Sequence, residues 1–175
     1  MFKTVLGSMG IIFIILLAIF ILLYNKLVSI KNSINERWEK VSQQLKLKHA
    51  LASNLIIVIK QYDLADTSPI EKLAKLRAIA ISAKSINDKN KAENELNSCL
   101  KHLLNNSKID NKLNLEKKLF PIKEQFLTVE NQLKNCCDQY NITIKNYNNL
   151  LKSFPNNLIA YCLQYKSLLF FEVYK

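Results

Sequence analysis

Two histidines, four cysteines and a scattering of carboxylates are the side chains of this 175-residue chain whose types suit catalysis or metal binding. Their spacing argues against both. His49 and His102 are isolated in the sequence. One belongs near the middle of a first long soluble helix and the other near the membrane-side end of a second, too far apart to share a metal or pass a proton. Glu93 and Glu95 are close neighbours, but positions two apart on a helix diverge, so they do not form a catalytic pair. No His-Glu-x-x-His, no GxSxG and no phosphate-cradling glycine loop is present; the two glycines, Gly7 and Gly10, both lie in an apolar run. Cys99, Cys136, Cys137 and Cys162 show no CxxC spacing, and adjacent Cys136 and Cys137 point in different directions on a helix. Neither a disulfide framework nor a zinc site fits, and no disulfide-linked partner is expected. The residues thus point to no enzyme, with no catalytic, cofactor-binding or metal residues and no cofactor.

More distinctive are the polar residues beside apolar stripes. In "YNITIKNYNN" a Tyr-Asn pair occurs twice, seven residues apart, at Tyr140-Asn141 and Tyr147-Asn148. Trp38, Tyr140 and Tyr147 are expected to be bundle-packing aromatics. Levels counted along antiparallel helices bring Asn54, Arg77, Asn141 and Asn148 into one interior polar layer. Such a layer specifies helix register at some cost in stability; the other reading is a ligand-binding polar cavity.

The elements that must position these residues are helices. Two glycines and three prolines fall far below the usual frequencies of roughly 7% and 5%, so the chain lacks the turns that a sheet requires. The net charge of +11 raises the question of a polyanion partner. The lysines are spread along the chain and interleaved with acids, which reads as a solvated helical surface, and no nucleic-acid partner is expected.

Residues 5–23, "VLGSMGIIFIILLAIFILL", carry no charge and are long enough to cross about 30 Å of hydrocarbon as a helix. The run exceeds a signal-peptide core of roughly 7–15 residues and no small-residue cleavage site follows. Tyr24, Asn25 and Lys26 follow instead as a membrane-interface anchor. Lys26, Lys31, Arg37 and Lys40 outnumber Lys3 on the other flank, so the positive-inside rule places the large domain in the cytoplasm. The expected organisation is a tip at 1–4, a transmembrane helix at 5–24 and a soluble bundle at 25–175.

Leu27, Ile30, Ile34, Trp38, Val41, Leu45, Ala52, Leu55, Ile59 and Tyr62 keep spacings of three and four, interrupted where Lys48 occupies the line. They predict one amphipathic helix continuous with the span. In "DTSPIEKL", Ser68 as cap, Pro69 in the first turn and Glu71 three after Ser68 predict a second helix, running to about Leu104. A third is predicted to open near Pro121, with Ile122, Phe126, Val129, Leu133, Cys136, Tyr140, Tyr147 and Phe154 as its stripe, and to end at Pro155. "LIAYCLQYKSLLFFEVY" then predicts a short fourth helix starting at the membrane-distal pole. The fold class is all-α: an elongated up-and-down antiparallel bundle of three long helices plus a short C-terminal helix, continuous with one N-terminal transmembrane helix.

"YNKLVSIKNSINERWEKVSQQLKLKHALASNLIIVIKQY" at Tyr24–Tyr62, "AENELNSCLKHLL" at Ala92–Leu104 and "TVENQLKNCCDQYNITIKNYNNLLKSFPNNLIAYCLQYKSLLFFE" at Thr128–Glu172 resemble the motifs of LemA family proteins, bacterial membrane-anchored helical bundles. The resemblance covers most of the soluble chain. The segment "NNSKIDNKLNLEKKLFP" departs from the acidic-aromatic-proline connection usual in the family. What the resemblance implies is a four-helix cytoplasmic bundle on one anchor, with no established enzymatic activity. The expected function is therefore a membrane-anchored scaffold or interaction protein of the cell (inner) membrane, with the lipid bilayer and membrane proteins as partners; the alternative is lipid or membrane-surface binding.

Overall fold

The computed structural model describes residues 2–61, 67–106 and 113–173. Tyr62, at the end of the first stripe, residues 107–112 of the polar connection, and Tyr174 lie outside the described residues. Among the described residues the chain forms five helices and no strand: α1 (Phe2–Lys60), α2 (Ser68–Ser82), α3 (Ile86–Asn106), α4 (Leu113–Lys152) and α5 (Asn156–Cys162). The all-helical class is therefore as the composition requires. Two compact units divide it: Met1–Glu36 with Ile142–Leu169, and Arg37–Asn141 with Phe170–Lys175.

In the first unit the apolar residues of α1 from Met9 to Leu22 are 42–68% exposed, whereas Leu27 and Ile34 are buried. α1 is one helix long and apolar enough to cross a membrane. Ile144, Tyr147, Leu151, Ile159 and Ala160 complete the unit's interior, and the Lys31 ammonium lies 5.0 Å from the centre of the Tyr165 ring.

The second unit packs four helical segments around Leu51, Leu55 and Ile59 of α1, Ile70, Leu73 and Leu76 of α2, Leu96 and Leu100 of α3, and Phe126 of α4. α1 and α4 run antiparallel here. Arg37 donates to Gln139, while Leu47 and Leu51 line a groove with Pro121 and Val129.

The second helix is corrected. Instead of one helix from Pro69 to Leu104, the chain turns at residues 83–85 into a hairpin of α2 and α3. Ala83 is extended. The Ser85 hydroxyl accepts from the Asp88 N–H at 3.0 Å and donates to the Asp88 carboxylate at 2.6 Å, a cap that satisfies an otherwise orphaned donor of α3. The hairpin adds a reversal, so α4 runs against α1 rather than with it.

The start of α2 moves back one residue, because Thr67 is the N-cap and its hydroxyl reaches Glu71 at 3.3 Å. α4 starts eight residues before Pro121, at Leu113, and carries that proline within it. A proline inside a helix costs about 3 kcal/mol; Leu119, buried in the core on the preceding turn, offsets part of that. On α4 the buried line passes through Leu133, Cys137, Tyr140, Ile144, Tyr147 and Leu151. Cys137 thus replaces Cys136, and Phe154 is exposed rather than on the stripe.

The largest correction concerns the end of the chain, where the fourth helix stops at Cys162. Gln164 takes a left-handed conformation, φ 54°. Its N–H bonds to the Tyr161 carbonyl and that of Tyr165 to the Ala160 carbonyl, the hydrogen-bond pair of a Schellman cap. Residues 165–173 form neither helix nor strand. Nor does α5 begin at a pole away from the apolar run, since it shares the first unit with the part of α1 up to Glu36.

Candidate functional site

Lys48 follows Leu45 by three residues and precedes Ala52 by four, so helix geometry turns it into the core with them. A buried ammonium needs a counter-charge. α3 supplies it from Glu93, which turns inward beside Ala92 and Leu96, while Glu95 faces solvent. Lys48 Nζ lies 2.5 Å from Glu93 Oε2, and His49 Nε2 lies 2.8 Å from Glu93 Oε1. An ionised carboxylate only accepts, so His49 donates from Nε2. Arg77 of α2 completes the junction by donating Nε–H to the His49 carbonyl at 2.9 Å.

The electrostatics follow from burial and pairing. Burial pulls the Lys48 ammonium below its ordinary value against the attraction of Glu93. For Glu93 burial pushes upward, but the His49 hydrogen bond and the Lys48 charge outweigh it and hold the carboxyl below its usual range. Both carboxylate oxygens are engaged within the protein, which leaves Glu93 poorly placed as a base. Burial, with neighbouring Cys136, pushes the Cys137 thiol up to about 12, so it is not a thiolate nucleophile near neutrality. Among the described residues no group of three or more His, Cys, Asp or Glu is placed to hold a metal. His102 is exposed beside a cleft of about 680 Å³ between α2 and α3, lined also by Leu76, Ser98 and Cys99.

A second constellation is built from asparagines. In the second unit, Asn141 donates its amide to the Phe171 carbonyl at 2.8 Å and accepts the Phe171 N–H at 2.9 Å. Asn90 of α3 donates to the Phe170 carbonyl and accepts from the Glu172 N–H, and Asn94 donates to the Glu172 carbonyl. In the first unit, Asn148 makes the same paired contact with both backbone groups of Leu168, each at 2.9 Å. A side-chain amide thus acts as a neighbouring strand, offering one donor and one acceptor to an extended peptide. Phe171, fully buried, meets the Trp38 ring edge-on at 5.2 Å, and Trp38 meets Tyr140 at 5.3 Å.

The expected polar layer does not form. Asn54 is exposed at the groove beside Pro121, Arg77 binds the His49 backbone, and Asn141 and Asn148 hold the tail. Level-counting misplaced them because it assumed one unbroken second helix. Trp38 and Tyr140 pack as aromatics in the second unit, Tyr147 is buried in the first, and Tyr24, Asn25 and Lys26 are exposed on α1. Glu93, Asn90 and Asn94 went unassigned by sequence reasoning. The one available signal was Lys48 on an apolar line, which demanded an inward carboxylate elsewhere.

The family model that matches the chain is that of the LemA family, over residues 37–175. No individual curated protein matches significantly. The matched region contains the buried ion pair, the paired asparagines and the tail that they hold, and the chain belongs to the LemA family.

Proposed function

We propose that this chain is a non-enzymatic, single-pass scaffold or interaction protein of a bacterial inner membrane, anchored by residues 5–24 and presenting residues 25–175 to the cytoplasm. The observation that carries the reading is the outward exposure of the apolar side chains from Met9 to Leu22 on a helix that continues unbroken to Lys60. Such a surface calls for hydrocarbon around it. Lys26, Lys31, Arg37 and Lys40 following the run favour a cytoplasmic bundle. The mutual engagement of Lys48, Glu93 and His49 supports a structural role for the interior charges.

Exposed Cys162 tests the topology. A membrane-impermeant maleimide should label the protein only after cells are opened; labelling of intact cells reverses the orientation, and recovery in the soluble fraction removes the anchor. Co-purification from detergent-solubilised membranes should return recurrent membrane proteins, whereas a reproducibly empty result argues against a scaffold. The alternative, lipid-surface binding or membrane remodelling, draws on the exposed apolar residues that follow α4.

A further inference from the structure

Three apolar side chains of the first unit stand out. Phe154 is 79% exposed, Leu158 58% and Tyr161 86%. Leu158 and Tyr161, three residues apart on α5, share one helical face, and Phe154 lies in the turn just before it. The opposite face is closed by buried Ile159 and Ala160. A short helix and turn whose inner side is packed have no structural reason to carry two aromatics and a leucine outward.

Contacts within the unit place this face. The Tyr165 ring lies over Lys31, and the Tyr165 N–H bonds to the Ala160 carbonyl of α5. The end of α5 is thus near the level of Lys31. α5 is seven residues long, about 10 Å at 1.5 Å per residue, the same as the distance from Lys31 to Tyr24 along α1, so α5 reaches the level of Tyr24. That level is the lower edge of the covered part of α1: Leu27 is fully buried, Tyr24 is 40% exposed and Leu22 is 68% exposed. Exposed Lys26 and Lys152 flank the same level. Aromatics, apolar side chains and lysines at one height are the composition of a bilayer interface.

We propose that Phe154, Leu158 and Tyr161 form a second membrane contact, inserted into the headgroup region beside the anchor helix, with the lipid bilayer as their partner. The inference rests on the anchor reading. Its physical role is to fix the tilt and rotation of α1 at the membrane surface, because a helix held at one point only is free to turn about its axis.

The test uses the full chain in nanodiscs containing lipids brominated along the acyl chain, reading tryptophan emission over the baseline of half-buried Trp38. Leu22→Trp is the anchor control. The expected result is strong quenching and a blue shift for Leu22→Trp, and quenching at least twofold above the wild-type baseline for Phe154→Trp and Leu158→Trp. Quenching at Leu22→Trp with solvent-like emission and none of that quenching at 154 and 158 overturns this inference and leaves the anchor intact. No quenching at any of the three removes the anchor itself. Efficient Cys162–Cys162 crosslinking between copies, with positions 154 and 158 unquenched, assigns the face to a second copy of the chain and also overturns the proposal.

Discussion

The two units of this molecule solve opposite problems with the same secondary structure. In the unit of Arg37–Asn141 with Phe170–Lys175, every helix contributes to a closed apolar interior and even an ammonium and a carboxylate are enclosed there as a pair. In the unit of Met1–Glu36 with Ile142–Leu169, the apolar side chains of one helix face outward over more than three turns, and α5 with the turn before it adds Tyr161 and Phe154 to the exposed set. Helical periodicity distinguishes an inner from an outer face only where a polar side exists. The run of residues 5–23 has none, so the surroundings rather than the helix decide what is inside.

The sharpest way to break this contrast is to unpair the buried charge. Glu93→Ala should cost about 3–5 kcal/mol in urea unfolding, because Lys48 is left charged in the core. Lys48→Met with Glu93→Leu should recover most of that loss; a double variant as unstable as the single one would show that the pair contributes more than mutual neutralisation. The same pair gives a pH signature. The folded carboxyl of Glu93 lies below the value of 4.5 that it has when free, so between those values the unfolded chain binds more protons and stability rises with pH. The contribution is complete above pH about 4.5 and is lost as pH falls through the depressed value. Urea midpoints should therefore drop on acidification in the wild type, with a shallower slope in the double variant.

A smaller effect compares the two units directly through the repeated Tyr-Asn pairs. The bonds of Asn141 to Phe171 are partly buried, whereas those of Asn148 to Leu168 are exposed. Asn141→Ala should cost about 1–3 kcal/mol, because two partly buried backbone groups lose their partners. Asn148→Ala should cost about 0.5–1 kcal/mol, since water replaces the amide. Amide hydrogen exchange at Phe171 and Leu168 reads each loss locally, and equal effects would remove the distinction. Smallest is Gln164→Gly. The left-handed conformation costs a residue with a side chain about 1–2 kcal/mol, less the roughly 0.5–1 kcal/mol entropy penalty of glycine. A stabilisation of about 0.5–1 kcal/mol should appear as a raised urea midpoint.

Much of the fold was legible from spacing. The α1 line through Leu27, Ile34, Val41, Leu45, Ala52, Leu55 and Ile59 is the buried line, and Pro155 does separate α4 from α5. The division at residues 83–85 was less visible, because Ser85 lies inside a polar stretch where one cap among many polar residues carries little contrast. The start of α4 was misread at Pro121 because a proline signals a boundary on average, whereas Leu119 in the core outweighs it here. Of the site, Trp38 and Tyr140 were recognised as packing residues. The partners of Asn141 and Asn148 were not, because a tail that repeats apolar residues reads locally as helix.

The Tyr-Asn spacing has a simple metric basis along its own helix. Two turns of α4 advance about 10.5 Å, which carries Asn141 to Phe171 and Asn148 to Leu168, three residues apart in the tail. By itself the sequence determined that the chain is helical and that α1 has an uncharged segment long enough for a bilayer, with Lys48 interrupting its apolar line. Those properties depend on residue type and on a period of 3.6, which neighbours along the chain supply. Only the tertiary structure decided that Glu93 answers Lys48 and that residues 165–173 leave the helix and bond to Asn90, Asn94, Asn141 and Asn148. A buried charge accepts any counter-charge brought to it, and a peptide group takes its hydrogen bonds from whichever donor and acceptor the packed helices place beside it.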